Sequence, residues 1–320
     1  MAASAAPALA LPAELTILVF ERLASFRDLC ECSKVCRQWR AAADSNYIWG
    51  AMLRRRCVDV AVESEMAGGE LASGRPACRN KAIFASWHRR YRGFTDSYTR
   101  MRRAFWRLEA WADTHSPLLR QSLAPGLGWM GDETMPVREL LDVVNDSPAM
   151  RDFIMAHHFH DGQRRRPRYI ECGLFGSYEC YGDVCSLSWL SSRMLQVIAL
   201  DQFRLLVFAW CMRTQNYLGV VVGCPPEIER AFMHHVVQVQ PQSRRTADRG
   251  LFGDFIVEYI DGLIAGNYDV YDGIISMMPN TGPHAVSTTT RGIRTTVSAM
   301  FCFDETPHLR VYRYQVTFEL

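Results

Sequence analysis

Apolar residues between positions 11 and 49 recur at helical rather than strand spacing. Leu15, Leu18, Val19 and Leu23 fall three or four residues apart, which predicts a helix opened by Pro12. Proline suits a first turn, where its missing N–H has no partner to lose, and Glu14 stands near the positive end of the helix dipole. Leu29, Cys32, Val35, Cys36 and Trp39 form a second stripe, on a helix that Asp28 is placed to cap. Asp44-Ser45-Asn46 supplies a third start, followed by Tyr47, Ile48 and Trp49. Three short helices cannot bury two apolar stripes among themselves. The surplus predicts either a face that seeks a partner or a helical cap docked on the following domain, and periodicity does not choose between them.

Beyond this region the pattern changes. Glu63 to Lys81 is rich in Gly, Ala, Ser and charge and reads as a flexible linker. A helical stretch follows from Ile83 to about Trp111, then mixed helix and strand to Val239, and the tail from Gly292 alternates as β-structure does. Residues 1–10 are small and apolar and read as disordered, and no internal repeat is visible.

Composition narrows the class. With 320 residues, 48% hydrophobic and 22% charged, the chain reads as an ordinary globular protein of about two domains. A net charge of +2 argues against a dedicated nucleic-acid binder, although Arg54-Arg55-Arg56, His88-Arg89-Arg90 and Arg164-Arg165-Arg166 are local basic runs. The longest apolar run, Leu205 to Met212, is far short of the roughly 20 residues of a membrane helix. No secretory signal is expected, because the Ala-rich start lacks a basic segment and is broken by Pro7 and Pro12. Eleven cysteines without framework spacing then read as reduced thiols of a cytoplasmic or nuclear protein.

Residue order goes further than periodicity. Leu11-Pro12-Ala13-Glu14-Leu15, Val19-Phe20-Glu21-Arg22-Leu23, Asp28-Leu29, Val35-Cys36-Arg37-Gln38-Trp39 and Trp49 resemble the F-box along its whole length without a gap. That resemblance implies a small helical bundle that docks on Skp1. The contact would draw on Leu11, Pro12, Leu15, Leu18, Val19, Phe20, Leu23, Leu29, Val35, Cys36 and Trp39. Some of these must be core instead, Trp39 and Trp49 first among them.

Phe105-Trp106-Arg107-Leu108-Glu109 with Ser116-Pro117-Leu118-Leu119 resembles the opening helix of a SMI1/KNR4-type (SUKH) domain. His158-Phe159-His160-Asp161-Gly162-Gln163 resembles its His-Asn-Gly-Gln turn, with Asp161 in place of Asn, and Gly173 to Glu179 resembles the strand that follows. Phe252-Gly253-Asp254-Phe255, Tyr259 and Asp272-Gly273-Ile274-Ile275 resemble its C-terminal extension. Thr290 to Phe301 with Tyr312 to Val316 resembles the opening strands of an ApaG domain, a sandwich of two sheets. F-box, SUKH and ApaG in that order is the layout of the family of F-box only protein 3. Only about two ApaG strands are expected before Leu320, either as a truncated remnant or as a hairpin packed on the SUKH-like region.

No chemistry-bearing constellation competes with an adaptor. No phosphate-binding Gly loop and no paired-histidine zinc motif is present. His157, His158, His160 and Asp161 read as a polar turn at a domain edge. Cys30, Cys32 and Cys36, and Cys172, Cys180 and Cys185, lack the C-x-x-C spacing of zinc sites. No metal, cofactor or catalytic residue is therefore expected.

The expected fold is a multidomain α+β chain: residues 1–10 disordered, a three-helix F-box at 11–56, linker and helix at 57–100, a SUKH-like domain with its extension at 101–285, and partial β-sandwich strands at 286–320. The expected function is the non-catalytic substrate-recognition subunit of a Skp1–cullin–F-box ubiquitin ligase. Its partners would be Skp1 and, through it, cullin-1 and a RING subunit, plus a protein substrate, with no nucleic acid and no membrane. The alternative is a SUKH-type protein-binding module outside any ligase, acting on an acidic partner.

Overall fold

The computed structural model describes residues 11–23, 25–66, 78–126, 147–163, 172–180, 183–200, 203–240, 245–281, 285–303 and 310–319. The expected disordered start and most of the expected linker lie outside these residues. The chain divides into two compact units, Met1–Thr99 and Arg100–Leu320. No helix among the described residues is long and apolar enough to cross a membrane.

The first unit is helical. Four short helices, α1 (Ala13–Glu21), α2 (Phe26–Cys32), α3 (Arg37–Ala43) and α4 (Asn46–Arg55), occupy the region where three were expected. The second expected helix is broken because its caps lie elsewhere than Asp28. The Ser25 hydroxyl accepts from Arg27 N and opens α2, while Cys36 Sγ accepts from Trp39 N and opens α3. Ser45 caps α4 in the same way. Helices α5 (Val60–Met66) and α6 (Arg79–Arg90) extend into both ends of the expected linker. Asp59 Oδ1 accepts from Ala61 N and Val62 N at the start of α5, and buried Glu63 pairs with Arg90 at 2.9 Å. The helical stretch expected from Ile83 to about Trp111 is two helices. Gly93, at φ +83°, turns the chain between α6 and α7 (Thr95–His115).

Helix α6 completes the core that α1–α4 leave open. The Phe84 ring packs at a tilt against Trp49 at 5.1 Å and Phe26 at 5.5 Å, and Lys81 lies over the Trp49 ring while pairing with Asp44. Asn80 clasps both the side chain and the carbonyl of Asn46. Such close approach needs Gly50, where an added Cβ would stand 3.0 Å from Asn80 Nδ2.

The described residues of the second unit form helices and four sheets. Its largest sheet has the order β10 (Arg245–Leu251), β9 (His235–Gln240), β8 (Tyr217–Gly223), β7 (Phe203–Trp210), β5 (Ser188–Trp189), with β6 (Gln196–Leu200) also on β7. Strand β7 falls in the apolar run noted above, and both its faces are covered, which explains why it is continuously hydrophobic. Leu205 and Val207 join Val221, Val237 and Val239 on one face. On the other, Phe208 meets Phe252 at 5.3 Å and Phe153 at 6.0 Å, from α11 (Phe252–Ile264) and α9 (Pro148–Phe159). Short elements α8 (Pro117–Ser122), β1 (Leu123–Pro125), β2 (His160–Gln163) and α10 (Pro226–Phe232) complete the frame.

A four-stranded sheet runs in the order β11 (Tyr268–Tyr271), β12 (Ile274–Pro279), β3 (Ser177–Cys180), β4 (Asp183–Ser186). The C-terminal sheet has three strands rather than two: β13 (Ala285–Thr290), β14 (Ile293–Phe303) and β15 (Arg310–Glu319). Strand β13 escaped the sequence pattern because it is a run of Ser and Thr without apolar alternation. Two tight hairpins, at Asp272-Gly273 and Arg291-Gly292, have both central residues at positive φ, as type I′ turns require.

Candidate functional site

Helix α1 has an unusual distribution of side chains for a short helix in a core. Phe20 and Thr16 point inward, and Phe20 meets Trp39 edge-on at 5.3 Å. Leu15, Leu18 and Val19 remain 47%, 55% and 53% exposed. They lie one helical turn apart on one side, and exposed Leu11 and Pro12 continue the row before the helix begins. Val35, 63% exposed, and Cys36 stand on the turn before α3. Gln38 donates to the Leu11 carbonyl at 2.7 Å, which ties that turn to the start of α1. The result is a contiguous apolar surface with no covering element of its own among the described residues.

Local chemistry holds this face rigid. At the N-terminus of α1 the Thr16 N–H and hydroxyl both donate to the Pro12 carbonyl. At its C-terminus Arg55 donates to the Leu23 carbonyl at 3.2 Å and to the Glu21 carbonyl, satisfying acceptors that a helix end leaves open. Tyr47 reaches Glu21 from α4. Gln38 and Arg55 are positioning residues that sequence reasoning missed. Each acts on a residue 27 or more positions away in sequence, so no local motif carries them. Burial, with Asp28 beside it, pushes the half-buried Cys32 thiol on α2 up, so it stays protonated.

The eleven residues named as docking candidates therefore separate. Leu11, Pro12, Leu15, Leu18, Val19, Val35 and Cys36 are exposed, and Leu23 and Trp39 are half-buried. Phe20 and Leu29 are buried, at 2% and 0% exposure, in the core under the face. Trp49 is fully core, donating its indole N–H to the Ala43 carbonyl at 2.7 Å.

The histidine-rich segment is not a turn at a domain edge. His160, Asp161 and Gly162 are buried in β2, paired with β1. His160 Nε2 bonds Glu109 at 2.8 Å, and Asp161 accepts from Ser192 N at 2.7 Å. Gln163 accepts from Leu174 N and Trp189 N and donates to Ser122 Oγ and the Cys172 carbonyl. All its hydrogen-bonding capacity goes to joining four segments, so its role is architectural. His157 is sealed beside Phe153 and Trp189, and burial lowers it to about 4. Among the described residues no group of three or more His, Cys, Asp and Glu could hold a metal.

No curated protein matches the chain. The F-box-like family model matches residues 8–55, which span α1 to α4 and the exposed apolar row. The N-terminal helical region is thus an F-box-like domain, the element by which adaptors of Skp1–cullin–F-box ligases in general bind Skp1.

Proposed function

We propose that this protein is a substrate-recognition subunit of a Skp1–cullin–F-box ubiquitin ligase. The observation that carries the reading is the exposed row Leu11, Leu15, Leu18, Val19 and Val35, which stays uncovered among the described residues although α6 has closed the core beside it. In this reading Skp1 covers that row and connects the chain to cullin-1 and a RING subunit. Residues of the second unit hold the protein to be modified, in line with their resemblance to SUKH and ApaG regions. The chain itself performs no bond chemistry. It raises the effective concentration of a substrate lysine near the ubiquitin-charged E2 enzyme, a gain in proximity and orientation.

The test is a binding titration of purified Skp1 against the full chain and against Leu15→Asp and Leu18→Asp variants. Each leucine is about half exposed, so the substitutions leave the fold standing while placing a charge in the contact. Saturable binding by the native chain and its loss in both variants is the expected outcome. Absence of binding, or binding that survives both charges, sinks the reading. Affinity purification from cells with the proteasome inhibited, scored for Skp1 and for accumulated proteins, then seeks the substrate.

A further inference from the structure

We propose that this chain passes ubiquitin on without accepting it, because the assembled adaptor presents no free lysine. Its second unit has none, Lys34 lies on the Skp1-docking turn, and Lys81 is engaged by Asp44 and Trp49. The inference rests on the ligase reading above and concerns what protects the adaptor within it.

The chain has 34 arginines and two lysines. Both lysines fall in the first unit, and residues 100–320 carry 22 arginines and no lysine. Cationic surface is thus kept while one chemistry is removed. A guanidinium stays charged at any physiological pH, whereas a lysine amine is a nucleophile once it loses its proton. In ubiquitin transfer the lone pair of the neutral Nζ attacks the thioester carbonyl that joins the ubiquitin C-terminus to the E2 cysteine. The amide bond forms, the C–S bond breaks, and the departing thiolate takes the proton that the nitrogen sheds. An arginine offers nothing to this step. The depletion falls where exposure to transfer is greatest, because an adaptor that holds a substrate near the E2 raises the effective concentration of its own surface groups there as well.

The two lysines that remain are accounted for by their places in the fold. Lys34 stands in the turn between α2 and α3, one residue before exposed Val35 of the docking row. Its side chain is 67% exposed and meets Glu31 at 2.6 Å, a solvated pair that shields it little. In the free chain Lys34 is an open acceptor, and a partner seated on Val35 and Cys36 stands against it. Lys81, on α6, pairs with Asp44 and lies over the Trp49 ring, 5.7 Å from its centroid. Its amine must leave both contacts before it can attack a thioester.

The experiment assembles the full chain with Skp1, cullin-1 and a RING subunit and adds E1, a ubiquitin-charged E2 and ATP. Ubiquitin on the chain is quantified and mapped by mass spectrometry, and discharge of the E2 onto free lysine in the same mixture verifies an active ligase. The comparison is with Arg103→Lys/Arg249→Lys/Arg291→Lys, whose exposed positions lie on α7, on β10 and in the β13–β14 turn and keep their charge. The native chain should gain ubiquitin about 10-fold or more slowly than this variant, whose ubiquitin should map to the three new lysines. In a second measurement, N-hydroxysuccinimidyl acetate should acetylate Lys34 readily in the free chain and about 10-fold more slowly under excess Skp1, with Lys81 slow in both. The proposal is overturned if the assembled native chain is modified at Lys34 or Lys81 as fast as the variant is at its new lysines. It is equally overturned if the variant stays as unmodified as the native chain, or if Skp1 leaves Lys34 labelling unchanged. The Skp1 titration keeps the two readings apart. No Skp1 binding removes the ligase reading and this one with it, whereas Skp1 binding with a readily modified native chain removes this one alone.

Discussion

Two regions of this molecule expose apolar rows, and they do so for opposite reasons. On α1 the outward row of Leu11, Leu15, Leu18 and Val19 sits over a helical core that is itself well packed, with Phe20 and Trp39 turned inward. On the C-terminal sheet the polarity is inverted. Val286, Val297 and Val316 align across β13, β14 and β15 on the exposed side, beside Phe318. The opposite side carries Ser287, Thr296 and Ser298, of which Thr296 and Ser298 are buried. The helical row is surplus to a finished core. The strand row is the apolar half of an amphipathic sheet that has turned its polar half inward.

The largest expected effect separates the helical row from the core beneath it. Burying a leucine at an interface contributes about 1.5–3 kcal/mol. The double variant Leu15→Asp/Leu18→Asp should therefore weaken Skp1 binding by about 100-fold or more. Thermal unfolding should change little, because both positions are already solvated and Asp costs only a few tenths of a kcal/mol each in helix propensity. A melting loss equal to that of a core variant would show that the row is packed, and the contrast with Phe20 would vanish.

Phe20→Ala supplies that core variant. Removing a fully buried phenylalanine should cost about 3–5 kcal/mol of the first unit's stability and lose binding only through unfolding. Circular dichroism melts run beside the Skp1 titration distinguish the two modes. If Phe20→Ala instead binds weakly while melting normally, Phe20 belongs to the contact after all.

Much of this comparison was legible in the sequence. Helical spacing exposed the surplus of apolar residues at 11–39, and the residue order resembled an F-box. Which residues face outward was not legible, because Val19 and Phe20 are adjacent, similar in character and opposite in fate. Capping chemistry decided the helix count: Ser25 and Cys36 outcompete Asp28, and that choice rests on backbone geometry more than on composition. In the second unit, the run from Leu205 identified a fully covered strand only once α9 and α11 were found against one face and the valine cluster on the other. The Asp272-Gly273 pair was a readable hairpin signal, whereas β13 was hidden by its Ser and Thr. The partners of Gln163 come from positions 122, 172, 174 and 189, which no local pattern connects.

Acid offers a third separation, acting on the second unit through His157. Burial holds this imidazole neutral down to about 4, against 6.5 when solvated. The unfolded chain therefore binds the extra proton first as pH falls below 6.5, and folded stability declines until about pH 4. Over that window the loss amounts to about 3 kcal/mol. Denaturant midpoints of the second unit measured from pH 7 to pH 4 should fall accordingly, and His157→Gln should flatten the slope. An unchanged slope in that variant would mean that other groups carry the acid response.

The smallest expected effect tests the strand row. Val316→Lys and Phe318→Lys place charges on side chains that already point to solvent, with Phe318 at 69% exposure. Folding stability should move by no more than about 0.5 kcal/mol. What should change is self-association: β15 is an edge strand of ten residues, and a long apolar edge invites pairing with other chains. Light scattering at increasing concentration should show less aggregation in the lysine variants than in the native chain, with Skp1 affinity unaltered. Val316→Thr, which keeps β-propensity and removes a methyl, should fall between them. If the lysines instead unfold the sheet, its outer face is packed against something in solution, and the two apolar rows are then alike in needing a cover, differing only in what supplies it.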